Sequence, residues 1–365
     1  MKYGIFGGSF NPPHFEHKEI CERVKRETGL DKIVLVPTGN APHKKGLAPF
    51  EDRVKMLSFL FGDDYIVDNI ESELSGLTNT ARVLPILKEK YGSVCFIIGG
   101  DSMIAMDTWI EPKTVMTTCP IVVVSRQSRS EELLGAIDKY RKIGAEIRLV
   151  DYVGKDCSST MARTYAELKL ANPLIPESEA NYIIKKELYN KYDDLVNEVA
   201  KRLTEKRMAH TKQVVLMAVR LNEQLGLPYD KVFTSAILHD VAKYASKTET
   251  EFEGLKIKGA YAHAFVGAEV ARAEFGIKDE DIIDAIRFHT TGRADMSELE
   301  KLIFLADYIE ETRSFDGVER IRKLALEDFE KGFVQAVRSQ MNFLKDKTDV
   351  CPLTKECYEY YNRKE

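Results

Sequence analysis

The apolar rhythm of this 365-residue chain changes once, near residue 190, and few folds accommodate both sides of that change. Up to about residue 170, short β-rich runs alternate with helix-length amphipathic stretches. The strand candidates are residues 3–6, 32–36, 65–68, 94–98, 120–124 and 146–150; the helical stretches include 15–27, 49–61, 80–91 and 131–143. Ile121-Val122-Val123-Val124 is apolar at every position, as a strand buried on both faces must be. Such alternation predicts an α/β fold with a doubly wound, Rossmann-like parallel sheet. Ligands of such sheets sit beyond the carboxyl ends of the strands, where the strand order switches. The stretch from Asn172-Pro173 to Pro176 breaks the pattern before one more helix over 177–189.

Beyond residue 190 the strand signal disappears. Residues 207–224, 229–244, 260–275, 279–289, 297–311 and 318–343 read as helices, broken at Gly226-Leu227-Pro228, Gly276 and Gly317. The expected organisation is therefore an α/β domain over 1–189 followed by an all-α domain over 190–365. Two domains suit the length, and there is no repeat, low-complexity segment or long linker.

Composition narrows the partners. The net charge is −5, divided as −1 before the join and −4 after it, so neither half has the positive excess that nucleic acid or an anionic membrane would require. No apolar run approaches the roughly 20 residues of a membrane helix. Met1-Lys2-Tyr3-Gly4 leads straight into a strand pattern, without the apolar stretch of a secretory signal. The six cysteines, at 21, 95, 119, 157, 351 and 357, form no Cys-x-x-Cys pair and fit reduced core thiols. The expectation is a cytoplasmic protein that handles small ligands, with a homo-oligomer compatible.

The chain has only seven histidines, and they gather in motifs. The first strand runs into Gly7-Gly8-Ser9-Phe10-Asn11-Pro12-Pro13-His14-Phe15-Glu16-His17. Glycines let backbone approach a ligand, paired prolines suit the start of a helix, and a helix N-terminus offers unpaired N–H groups to a phosphate. His14 and His17, three apart, project from one face of that turn and can stabilise charge on a phosphoryl group in flight.

This stretch resembles the nucleotidylyltransferase superfamily, with its His-x-Gly-His signature after the first strand. Val36-Pro37-Thr38-Gly39-Asn40-Ala41-Pro42-His43-Lys44, Glu51-Asp52-Arg53, Phe96-Ile97-Ile98-Gly99-Gly100-Asp101-Ser102, Thr108-Trp109 and Ser158-Ser159-Thr160-x-x-Arg163 narrow the likeness to nicotinate-nucleotide adenylyltransferases. The resemblance implies adenylyl transfer from ATP to nicotinate mononucleotide, with Mg2+ bridging the phosphates. It assigns His14, His17 and Arg163 to catalysis, and Gly7, Gly8, Ser9, Thr38, Asn40, His43, Lys44, Asp101, Trp109, Ser158, Ser159 and Thr160 to substrate binding. Asp101 would hold a ribose hydroxyl and Trp109 would stack on the nicotinate ring; a core aromatic remains open for Trp109, and a solvated surface charge for Lys44. Two positions depart from the family. Glu16 replaces the glycine between the histidines, and either weakens ATP binding or is turned outward. Thr78-Asn79-Thr80 lacks the family's aromatic. A class I aminoacyl-tRNA synthetase shares the histidine motif, but this half is short, not basic, and has no Lys-Met-Ser-Lys-Ser-like loop.

In the second half, His239-Asp240 ends the apolar run Ala236-Ile237-Leu238, and Asp307 interrupts Leu302-Ile303-Phe304-Leu305-Ala306. A carboxylate on an apolar helical face is expensive to bury without a partner, and a metal is one such partner. Imidazole with carboxylate suits a hydrolytic divalent metal. His210, His239-Asp240 and Asp307 resemble the HD-domain phosphohydrolases, and His289-Thr290-Thr291-Gly292 with Ala306-Asp307-Tyr308-Ile309-Glu310 resembles the bacterial symmetrical diadenosine tetraphosphate hydrolases. The resemblance implies a metal set of His210, His239, Asp240, His263, His289 and Asp307 holding a binuclear iron centre. Asp240 and Lys243 would act in catalysis, with Lys243 and Arg293 on the polyphosphate; a solvated surface position remains open for those two cations. Hydrolysis of another nucleotide, or nucleotide sensing, remains an alternative for this half.

Overall fold

The computed structural model describes residues 1–39, 46–125, 130–152, 154, 157–246, 249–345 and 350–363. It divides into two compact units, Met1–Asn190 and Lys191–Glu365.

The first unit is built on six strands: β1 (Tyr3–Gly8), β2 (Lys32–Pro37), β3 (Tyr65–Val67), β4 (Val94–Gly99), β5 (Ile121–Ser125) and β6 (Ile147–Asp151). All pairings are parallel, in the order β3-β2-β1-β4-β5-β6. Successive side chains of a strand point to opposite faces. In β2, Val34 and Val36 enter one apolar core, whereas Ile33 and Leu35 enter the other. Each such side chain contributes about 1.5–3 kcal/mol when fully buried, so two-sided burial requires the near-continuous apolar runs seen in the sequence. The order reverses between β1 and β4. The crevice beyond their carboxyl ends is therefore where Gly7, Gly8 and Asp101 arrive.

The helix expected over 177–189 spans only Glu177–Lys185. Glu187 and Tyr189 take positive φ angles of 52° and 57°, which an α-helix cannot continue through.

The second unit is helical, with three additions that the sequence reading did not include: the helices Asp193–Ala200 and Pro352–Asn362, and a hairpin. β7 (Glu249–Phe252) and β8 (Leu255–Lys258) pair as an antiparallel hairpin. Its turn residues Glu253 and Gly254 both have positive φ, 48° and 80°, the conformation that suits a two-residue hairpin turn. The alternation of Thr250, Phe252, Leu255 and Ile257 carried this signal, but each strand is only four residues long. Two helices also differ from expectation. Tyr229–Leu238 ends six residues early, giving way to tight turns in which Val241 N–H donates to the Leu238 carbonyl and Lys243 N–H to the Asp240 carbonyl. The stretch over 318–343 is two helices, Val318–Glu327 and Phe329–Leu344, because the Asp328 side chain caps the second by accepting the Lys331 N–H.

The core of this unit is formed by Glu205–Leu225, Tyr229–Leu238, Glu280–Phe288 and Glu298–Ile309 packing on one another. Val214, Val215, Phe233, Ile237, Ile283, Ile286, Leu302 and Ile303 are buried there. Among the described residues no helix is long and apolar enough to cross a membrane. The six cysteines are buried free thiols.

Candidate active sites

At the end of β1 the two glycines serve different ends. A Cβ on Gly7 would meet only the Val36 carbonyl at 3.9 Å, whereas one on Gly8 would press on the Phe10 ring at 3.1 Å. Phe10, at φ 46°, folds back into the core beneath the turn. His14 then occupies the N-cap of the helix Phe15–Thr28. Its backbone N–H donates to Nδ1 of His17 at 3.1 Å, and the two rings lie with centroids 3.7 Å apart. An Nδ1 that accepts places the proton of the neutral His17 ring on Nε2, which becomes a donor.

Two arginines brace this turn. Arg53 is buried and donates to the carbonyls of Ala48 (3.0 Å), Ser9 (2.8 Å) and Thr38 (2.7 Å). Thr38 N–H in turn donates to the Gly8 carbonyl, so the ends of β1 and β2 are tied together. Arg163 donates to the Asn11 carbonyl at 2.7 Å and to Thr160 Oγ1 at 3.1 Å. Ser159 Oγ donates to the Pro12 carbonyl, and Ser158 caps the helix Ser159–Glu167 by accepting the Met161 N–H. The starts of two helices are thereby joined at one place, where their amide N–H groups suit an anion.

Asp101 is exposed in the short helix Gly100–Ile104 that follows β4. Trp109 is half-buried and packs against the core on one face of the sheet. Asn40, His43 and Lys44 lie outside the described residues. Glu16 is only 1% exposed, so it is not turned outward; its carboxylate lies with a His14 nitrogen and Cys157 Sγ, all within 4.8 Å of one another.

In the second unit all six expected metal-site residues come together. His210 stands in the second turn of Glu205–Leu225, His263 in the first turn of Ala262–Glu274, and Asp307 near the end of Glu298–Ile309. His239 and His289 each cap the C-terminus of a helix, and each directs Nδ1 onto a carbonyl one turn back: Ala236 at 2.6 Å and Ile286 at 2.7 Å. That contact leaves Nε2 facing inward as a ligand. His210 Nε2 lies 3.0 Å from Asp307 Oδ1, and His263 Nε2 lies 2.9 Å from Asp240 Oδ1. Yet His210 Nε2, His239 Nε2 and Asp240 Oδ1 are buried without an aligned hydrogen-bond partner. Close approach without alignment is what ligands of a shared cation show. Two ligand groups are present, His210/His239/Asp307 and His239/Asp240/His289, and they share His239. The donor set of imidazoles and carboxylates fits divalent metal.

The electrostatics agree with that donor set. Burial pushes the Asp240 carboxyl up, but His239, His263 and His289 outweigh it and hold Asp240 well below the ordinary carboxylate range. Asp307 is likewise raised by burial and lowered further by His210 and Arg313. Burial, His289 and Lys243 keep His263 below the usual imidazole value, which favours the neutral form that binds metals.

Lys243 joins this cluster, with Nζ 3.1 Å from His263 Nε2 and 3.5 Å from Asp240 Oδ1. Arg293 does not. Its guanidinium forks onto Glu300 at 2.6 and 3.0 Å, reaches Asp284 at 3.3 Å and lies over the Phe288 ring. The arginines at the cluster are ones the sequence reading left out. Arg207 donates to Asp240 Oδ2 at 2.9 Å, and Arg313 to Asp307 Oδ1 at 2.5 Å. Glu310 was also missed: it is buried, takes the Nδ1 side of His210 at 3.1 Å and accepts from Thr312 N–H and Oγ1. The available signals were spacings: Arg207 precedes His210 by three residues, and Glu310 follows Asp307 by three.

Comparison with known proteins gives the same division. The Cytidylyltransferase-like family model matches residues 5–165, and the HD domain model matches residues 207–312. A Bacillus subtilis protein named "Bis(5'-nucleosyl)-tetraphosphatase, symmetrical" is 39% identical over 173 residues, covering 45% of this chain and 92% of its own length. A Geobacter sulfurreducens "Probable nicotinate-nucleotide adenylyltransferase" is 31% identical over 212 residues, covering 52% of this chain and 98% of its own. A Mycoplasma genitalium protein named "Probable nicotinate-nucleotide adenylyltransferase/Ap4A hydrolase" is 26% identical over 368 residues, covering 95% of this chain and 99% of its own. The chain belongs in its first half to the nucleotidylyltransferase family of the nicotinate-nucleotide adenylyltransferases, and in its second half to the HD-domain family of the symmetrical bis(5'-nucleosyl)-tetraphosphatases.

Proposed function

We propose that this protein is a bifunctional cytoplasmic enzyme. Its first unit transfers AMP from ATP to nicotinate mononucleotide, giving nicotinate adenine dinucleotide and pyrophosphate. Its second unit hydrolyses diadenosine tetraphosphate symmetrically to two ADP. The observation that carries the reading is that one relative, whose name joins both activities, aligns with 95% of this chain.

In the first unit a phosphate oxygen of nicotinate mononucleotide attacks the α-phosphorus of ATP in line, and pyrophosphate leaves. No covalent enzyme intermediate forms. His14 and His17 donate to the phosphoryl oxygens as charge builds on them, and the N-termini of Phe15–Thr28 and Ser159–Glu167 add backbone donors. Arg163, anchored on Asn11 and Thr160, sets positive charge beside them. Mg2+ enters with the triphosphate. Asp101 takes a ribose hydroxyl, and Trp109 offers its ring to the nicotinate.

In the second unit His210, His239, Asp240, His263, His289 and Asp307 hold a pair of divalent cations, iron in this reading. The bound pair supplies Lewis-acid polarisation of the phosphoryl group and an activated water. Glu310 fixes the ring of His210, the Ala236 and Ile286 carbonyls fix those of His239 and His289, and Lys243 and Arg207 take the polyphosphate charge.

A paired assay on wild type, His17→Ala and His239→Ala tests both parts. His17→Ala is expected to slow dinucleotide formation by about 10^2- to 10^3-fold and His239→Ala to abolish ADP release, each leaving the other activity at the wild-type rate. Binding of diadenosine tetraphosphate without turnover, in metal-loaded wild type, would instead make the second unit a sensor. Absence of dinucleotide product with ATP, Mg2+ and nicotinate mononucleotide would sink the first activity.

A further inference from the structure

Behind His14, on the Nδ1 side of its ring, the first unit gathers two side chains, Glu16 and Cys157, that adenylyl transfer does not use. Cys157 Sγ lies 3.3 Å from Nδ1 of His14, and the Glu16 carboxylate completes a trio whose ligand atoms all lie within 4.8 Å of one another. We infer that His14 Nδ1, Glu16 and Cys157 Sγ form a transition-metal site of their own, selective for a zinc-class cation.

Three observations support the site. Ligands of a tetrahedral zinc, at about 2.0–2.1 Å for nitrogen and 2.3 Å for sulfur, stand about 3.5 Å apart, so the Cys157–His14 spacing needs little adjustment. The charges also balance: one thiolate and one carboxylate neutralise a divalent cation, which suits residues buried as deeply as these. Glu16 lies in the first turn of Phe15–Thr28 and Cys157 directly precedes the N-cap of Ser159–Glu167, so both anionic forms sit at favourable helix starts. An entry route exists as well. A surface groove of about 430 Å3, lined by Phe15, Glu16, Lys18, Glu19, Cys157 and Leu174, opens onto the cluster.

On binding, the thiol proton of Cys157 is released to solvent and the cation takes the Nδ1 lone pair of His14, so the ring keeps its proton on Nε2. A sulfur-bearing donor set discriminates against Mg2+, so the cation that accompanies ATP does not compete. A glycine at position 16, as in the family motif, would leave only two ligands.

Cobalt(II) provides the test because thiolate ligation produces sulfur-to-cobalt charge-transfer absorption in the near ultraviolet. The metal-stripped full-length protein is titrated with Co2+ under reducing conditions, with no nucleotide present. The second unit also binds Co2+, but its ligands contain no sulfur. The expected result is a charge-transfer band whose final intensity corresponds to one thiolate-bound Co2+ per chain once all sites are filled, and which persists in excess Mg2+ and is displaced by Zn2+. Cys157→Ser should abolish the band, and Glu16→Gly should weaken Co2+ affinity on the order of tenfold or more. Circular dichroism of both variants checks that they fold. No band in the wild type, or a band that survives Cys157→Ser, overturns the inference. Because the readout involves no substrate, a protein that shows the band but makes no dinucleotide would refute the first proposed activity and leave this site standing.

Discussion

In the first unit, the groups gathered at the end of β1 are largely backbone: the amides that open Phe15–Thr28 and Ser159–Glu167, held by Arg53, Arg163 and Ser159 on neighbouring carbonyls. In the second unit, side chains carried by separate helices converge on one volume, and several of their polar atoms are buried without an aligned partner. The first arrangement is already braced without a ligand, because the Arg53, Arg163 and Ser159 side chains that shape it are bonded to protein carbonyls. The second is not, because packed imidazoles and carboxylates of this kind need a cation to balance them. A backbone cradle therefore tolerates loss of a single side chain better than a metal cluster does.

That contrast can be broken most forcefully at the cluster. Removing metal with a chelator, or substituting Asp240→Ala, should take ADP release to background, and bound metal measured on the same sample should fall with it. Activity retained without metal would dismantle the comparison. Next in size is His17→Ala, expected to slow dinucleotide formation by about 10^2- to 10^3-fold, the usual effect of losing one transition-state donor. A loss as complete as that of Asp240→Ala would mean the first site depends on single side chains as much as the second.

A third test concerns a buried acid outside both sites. Glu179 is 0% exposed, neither carboxylate oxygen has a hydrogen-bond partner among the described residues, and burial pushes its carboxyl from 4.5 up to about 9. An acid whose folded value is raised contributes full stability below its unfolded value. It loses that contribution as pH rises from about 4.5 toward 9. Glu179→Gln removes this penalty. It should raise the melting temperature of the first unit at pH 8 by more than at pH 5, and equal shifts at both would refute the assignment. The smallest expected effect is that of Ser158→Ala, which removes a helix cap worth about 1 kcal/mol. It should lower stability by that amount and slow adenylyl transfer less than His17→Ala does.

Much of the fold was legible because strand and helix leave different periods in the sequence. The six parallel strands follow from their apolar runs and the intervening amphipathic helices, and the change of rhythm near residue 190 marks the passage to the helical unit. The helices Asp193–Ala200 and Pro352–Asn362 were missed although they are long enough to show a period; the other misses lay below the length at which one can be read. The hairpin Glu249–Lys258 offers four residues per strand, and the split at Asp328 is a single capping side chain within an unbroken amphipathic pattern. The candidate ligands were legible because His and Asp are costly on apolar faces. Their supporting residues were not, since Arg207, Arg313 and Glu310 look like ordinary helix-surface charges until their partners are known.

The sequence by itself determined the division into two units, the alternation that forces a parallel sheet, and the residue types able to handle phosphate and metal, because these depend on local pattern and side-chain chemistry. Only the tertiary structure decided which charges meet. It turned Arg293 onto Glu300 and brought Arg207 to Asp240. It also buried Glu16 beside a cysteine 141 positions along the chain instead of exposing it. Such contacts join residues far apart in sequence, and no local period records which distant side chain will face which.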